Sequence, residues 1–147
     1  MEMNTFAQSW FISVVPSVLA DAMLVLSVIK TTGVLARLNG EISGHSDLSL
    51  VRGTINLSML LAIIYLVLVA GALVALILSV TIWNMPIFLA SCHMGLFGIL
   101  TLPLGFIGKE QEKKVRKLEV TAQDPDVAET YERWLVQWNQ PRIQLPD

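Results

Sequence analysis

The chain carries a single cysteine, Cys92, so no intrachain disulfide forms and no Cys-rich metal site exists. Its two histidines, His45 and His93, lie far apart in sequence, and no metal-ligand pair stands at workable spacing. A glycine-rich phosphate loop and a Ser/His/Asp set are also missing, so no motif names a reaction. Lys and Arg are absent before Lys30 and again between Arg52 and Lys109, although the chain holds ten of them. The tail from Lys109 onward has seven basic and eight acidic residues, which does not suit a nucleic-acid partner.

What is present is apolar. A chain of 147 residues that is 54% hydrophobic suits a polytopic membrane protein better than a soluble domain. Apolar runs at 9–29, 57–82 and 87–107 each reach the roughly 20 residues that cross a bilayer's hydrocarbon. The stretch before the first run has no basic residue and carries Glu2, and Asp21 interrupts the run itself. It therefore reads as a retained span, not a cleaved signal peptide. Lys30, Arg37 and Arg52 fall between the first and second runs, and the other seven basic residues follow the third. The positive-inside rule then predicts an outside N-terminus and a cytoplasmic first loop and tail, in a plasma or inner membrane. Lys109, Lys113, Lys114, Arg116 and Lys117 cluster just past the third run, where they fix topology and meet lipid headgroups. Asn56-Leu57-Ser58 fits a glycosylation pattern but falls on the predicted cytoplasmic side, so it is discarded.

The expected fold is all-α: an integral membrane three-helix bundle over 1–108 and a cytoplasmic tail over 109–147. Helices are predicted near 7–39, 47–83 and 86–108, with an amphipathic tail helix near 125–139. Asn39-Gly40 marks the end of the first helix, 41–45 a short turn, and Ser46 or Asp47 the cap of the second. The first two helices are long enough to project past the membrane as a cytoplasmic hairpin. Pro103, Gly105 and Gly108 permit a bend in the third. Residues 109–120 are helix-prone, with Glu110 and Lys114, and Glu112 and Arg116, at four-residue spacing. Asp124-Pro125-Asp126 opens the tail helix, and 141–147 is expected to be extended or disordered. The N-out, C-in arrangement resembles the topology of proton-driven stator subunits, but their large cytoplasmic loop is absent and no residue carries over.

Asp21 is the most informative residue inside the spans, because an ionisable group there faces protein or water and usually has a role. It borders a seam of Ser13, Ser17, Ala20, Leu24, Ser27 and Thr31. With Ser17 and Thr101 it makes a candidate proton or ion site, the competing reading being a protonated, hydrogen-bonded packing contact. Ser91, Gly95, Gly98 and Gly105 on the third helix, and Gly71 and Ala75 on the second, are spaced for close helix packing. His93 lies roughly 160–200° around from the glycine stripe on a 3.6-residue helix. Leu89, Leu96, Phe97 and Leu100 accompany it. This bulky face is assigned to a second protein surface, with tetrapyrrole or haem ligation as a minor reading. Cys92-His93-Met94 cannot converge on one ion, since adjacent helical positions point apart. In the tail helix, Tyr131, Trp134, Leu135 and Trp138 form one stripe, assigned to docking on protein, either a partner or the helix hairpin.

The sequence thus reads as a small non-enzymatic membrane protein, a subunit or assembly component of a larger membrane complex. Its expected partners are other membrane subunits or further copies, together with lipid, and no cofactor is called for. The alternative is a homo-oligomeric channel or proton-conducting unit using Asp21.

Overall fold

A computed structural model describes residues 2–138 and Leu145, with side chains from Trp10 onward. The expected last residue of the tail helix, 139, and most of 141–147 lie outside the described residues. In chain order the elements are α1 (Glu2–Leu38), β1 (Glu41–Ile42), α2 (His45–Thr81), α3 (Ile87–Val115), β2 (Glu119–Val120) and α4 (Pro125–Trp138). The fold is all-helical apart from this one short strand pair. Three of the helices, α1 to α3, are long and apolar enough to cross a membrane.

Each boundary has a local cause. α1 stops because Asn39 (φ 52°) and Gly40 (φ 93°) both turn left-handed, the conformation that ends helices most cheaply at Asn and Gly. α2 begins at His45, earlier than either predicted cap. Its Asp47 reaches back instead, accepting from the Ser43 backbone N–H at 3.0 Å and the Ser43 hydroxyl at 2.5 Å. Those bonds hold the Asp47 carboxyl below its ordinary value. α3 runs unbroken through Pro103, Gly105 and Gly108 to Val115, well past the expected stop at 108. A proline or glycine in a span is tolerated where neighbouring groups re-satisfy the backbone. The polar end of α3 is helped by Lys113–Glu110 (2.5 Å) and Arg116–Glu112 (2.8 Å) ion pairs.

The helices contribute to two compact units that cut across the expected division at residue 108. The first unit takes residues 1–25 and 62–105. Its best-packed apolar contacts are Leu76, Met85 and Ala90, where the Met85 N–H closes the α2–α3 turn onto the Ser79 carbonyl at 3.0 Å.

The second unit takes residues 26–61 and 106–147. Here β1 and β2 pair in parallel, Glu41 opposite Glu119 and Ile42 opposite Val120. Neither strand was expected, since 41–45 reads as a turn and 109–120 as helix. Its core joins Leu38, Ile42, Leu48, Val51 and Ile55 to Val115, Val127, Tyr131 and Trp134. α4 alone would be marginal at 14 residues, so this packing is what keeps it folded. Asp124 caps it by accepting the Asp126 N–H at 3.0 Å, and also meets His45 Nε2 at 3.0 Å. These bonds, His45 first, lower the Asp124 carboxyl. Leu145 is pinned to α2 by the Asn56 side chain, which accepts its N–H at 2.8 Å.

Candidate functional site

The polar residues of the first unit gather on the inward face of α1. Ser13, Ser17 and Ala20 are buried there, as their spacing predicts, with Asp21 half-buried beside them. Pro16 interrupts the same turn, and its missing N–H leaves the Ile12 carbonyl without its usual helical donor. The serines satisfy themselves locally: the Ser13 hydroxyl donates to the Trp10 carbonyl and that of Ser17 to the Ser13 carbonyl, both at 3.0 Å. Such back-bonding is a common accompaniment of bent helices.

Two side-chain hydrogen bonds then tie α1 to α3. Ser17 Oγ lies 3.0 Å from His93 Nε2. With the serine proton committed to Ser13, the complementary tautomer carries the ring proton on Nε2 and donates it to Ser17. Thr101 Oγ1 donates to Asp21 Oδ1 at 2.8 Å. From α2, the Tyr65 side chain reaches Thr101 and lies within electrostatic range of Asp21. Thr101 thus lies between the Asp21 carboxyl and the Tyr65 phenol. The cluster can hold a hydrogen-bonded carboxyl within apolar surroundings, or accept and release a proton at Asp21.

A groove of ≈ 600 Å³ adjoins these residues, lined among others by Trp10, Ser17, Asp21, Cys92, His93 and Phe97. Its location bears on the assignment of the His93 face. Leu89, Leu96, Phe97 and Leu100 line this groove together with α1 residues, yet Leu96 and Leu100 stay 64% and 59% exposed, so the chain's own first helix covers only part of the bulky face. His93 is consequently an internal contact. Axial ligation through Nε2 has no support either, because that nitrogen is hydrogen-bonded to Ser17.

The small residues are corrected in the opposite sense. A Cβ placed on Gly71, Gly95, Gly98 or Gly105 would meet nothing within 4 Å, so none of these glycines packs against a neighbouring helix. Ser91 is exposed as well. Only Ala75 of the proposed packing residues is buried, along with Ser79 one turn on. Lipid chains are as apolar as leucine, so hydropathy could not tell which side of α3 faces protein.

The aromatic stripe of α4 is also occupied within the chain. Tyr131 and Trp134 are each 4% exposed in the second unit's core, and Leu135 and Trp138 pack against it. The Tyr131 hydroxyl donates to the Val115 carbonyl, and Arg52 and Arg116 stack over Trp134 and Trp138 at 5.8 and 4.7 Å. Tyr131 and Trp134 therefore dock on the helix ends of their own chain instead of presenting a surface to a partner.

The five clustered basic residues divide by what they touch. Lys113 pairs with Glu110, while Arg116 pairs with Glu112 and donates to the Leu135 carbonyl at 3.4 Å. Lys114 and Lys117 line a separate groove beside Gln111. Sequence reasoning missed Tyr65 and Pro16. Tyr65 is one of only two tyrosines, and a phenol inside a span is the signal that could have marked it. Comparison with known protein families, characterised proteins and solved structures gives no match.

Proposed function

We propose that the chain is a non-enzymatic integral membrane protein that serves as a subunit or assembly component of a larger membrane complex. Its assembly surface is the small-residue face of α3: Ser91, Gly95, Gly98 and Gly105. The supporting observation is the open space over those glycines. Only 6% of the most apolar stretch of α3 is buried, against 17% in α1 and 22% in α2. A glycine stripe left to lipid gains nothing, whereas a second helix can approach its backbone closely. The partner is therefore another transmembrane helix, from a second copy or a different subunit. The orientation that fits the one-sided charge is N-terminus outside, tail cytoplasmic.

The test is the mass of the gently solubilised complex. Gly95→Leu with Gly98→Leu adds side chains where the chain itself has room, so the monomer should fold normally. The complex should shrink to a single chain. A particle of unchanged mass would remove this surface from the account.

A second reading is favoured by the Asp21–Thr101 contact between two spans: proton or ion conduction by an oligomer, using the Asp21 carboxyl. It predicts pH-dependent flux in liposomes that Asp21→Asn abolishes while assembly persists. Absence of flux in the unmodified protein would dismiss it.

A further inference from the structure

A second groove, of ≈ 460 Å³, lies wholly within the second unit between the polar ends of α1 and α3. Thr32, Leu35, Ala36 and Gly40 form one side, and Gln111, Lys114, Lys117 and Leu118 the other. Its floor is fixed. Gln111 is buried, and its side-chain amide donates to the Val28 carbonyl at 3.1 Å and to the Thr32 hydroxyl at 2.5 Å, locking α3 against α1. The charge on the lining is of one sign, because two lysines contribute and no carboxylate does. Lys114 and Lys117 form no salt bridge among the described residues, unlike Lys113 and Arg116 between and beside them.

Depth is the second argument. The first charged residues after the apolar runs of α1 and α3 are Lys30 and Lys109, and the groove begins two residues beyond each, at Thr32 and Gln111. At about 1.5 Å per residue its lining extends from roughly 3 to 15 Å past the hydrocarbon edge. The headgroup layer occupies roughly 5–8 Å on each side of the hydrocarbon. The inner part of the cationic groove, Lys114 included, thus overlaps the headgroup layer, Lys117 stands at its outer side, and Leu35, Ala36 and Leu118 offer apolar wall to a lipid's carbons.

We propose that this groove binds the phosphate of one anionic phospholipid, with Lys114 and Lys117 as its cationic ligands. The assignment requires only that α1 and α3 span a bilayer and is independent of how the chain assembles. It is tested on the full chain reconstituted with phosphatidylglycerol or phosphatidylcholine, by native mass spectrometry of lipid retained after detergent extraction. Phosphatidylglycerol should be retained and phosphatidylcholine lost. Lys114→Gln with Lys117→Gln should lower retention about tenfold or more, given what a lysine near an anionic surface contributes. Lys113→Gln removes a neighbouring charge outside the groove and should leave retention nearly unchanged. Tryptophan fluorescence confirms that each variant keeps its packed α4. Equal losses in the two variants, or equal retention of both lipids, would overturn the site. Displacement of the lipid by excess inorganic phosphate would reassign it to free phosphate and refute the lipid.

Discussion

Asp21 is joined to Thr101 by a 2.8 Å bond between two spans, and the consequences of removing it are specific. Asp21→Asn should keep the fold, because the amide can still accept from the threonine hydroxyl. Asp21→Leu removes the acceptor and should cost on the order of 1 kcal/mol, as interhelical contacts in membranes do. Thr101→Val should cost a similar amount, and the double variant should cost less than the sum, since both delete one bond. Thermal melts in detergent read this directly; strict additivity would mean the contact carries no energy. Tyr131 gives a second test, in the second unit. Burial raises its phenol to about 12 from the ordinary 10.0. The unfolded chain therefore releases this proton first as pH rises. The stability the buried phenol contributes is complete below pH 10 and declines between about 10 and 12. Tyr131→Phe should abolish that part of the alkaline transition, and an unchanged alkaline transition would contradict it. At this scale the sequence was readable where polarity was singular. Asp21 and the serine seam stood out against apolar neighbours, whereas the Tyr65 contact depends on helix rotation that a uniformly apolar α2 does not encode.

Among the elements, α4 carries the clearest expectation because its stripe of Val127, Tyr131 and Trp134 is fully engaged. Trp134→Ala opens a core cavity and should cost about 3–5 kcal/mol, the range for buried Trp or Phe truncations. Limited proteolysis should then cut near residues 121–124 while the spans stay in the membrane. A change in complex size without new cleavage would instead return Trp134 to the role of partner contact. Acid acts at the same element. His45 and Asp124 are exposed, at 68% and 53%, so their pair adds little stability by itself. The lowered Asp47 and Asp124 carboxyls contribute above the ordinary aspartate value of 3.8 and lose that contribution as pH falls below it. α4 was legible in advance because its cap, its proline and its amphipathic period agree. β1 and β2 were not, because two residues show no alternation. The run of α3 through Gly105 and Gly108 to Val115 escaped notice because those glycines read as a stop in water, and lipid shifts that balance.

For the whole molecule, the three apolar helices are evident from sequence and structure alike, while the open side of α3 over Gly95 and Gly98 became apparent only once its rotation was known. The one-sided charge predicts that a cysteine replacing Asn84 is labelled from outside intact cells, and a reporter fused after Asp147 reads as cytoplasmic. Labelling of position 84 only after lysis would reverse the orientation without touching the helix contacts. The assembly claim is tested most directly by photocrosslinking in native membranes, with a photoreactive residue at Gly95 of α3 or at the exposed Val67 of α2. Position 95 should yield a protein adduct of one discrete mass, and position 67 should yield lipid adducts only. Lipid alone at both positions would contradict the account.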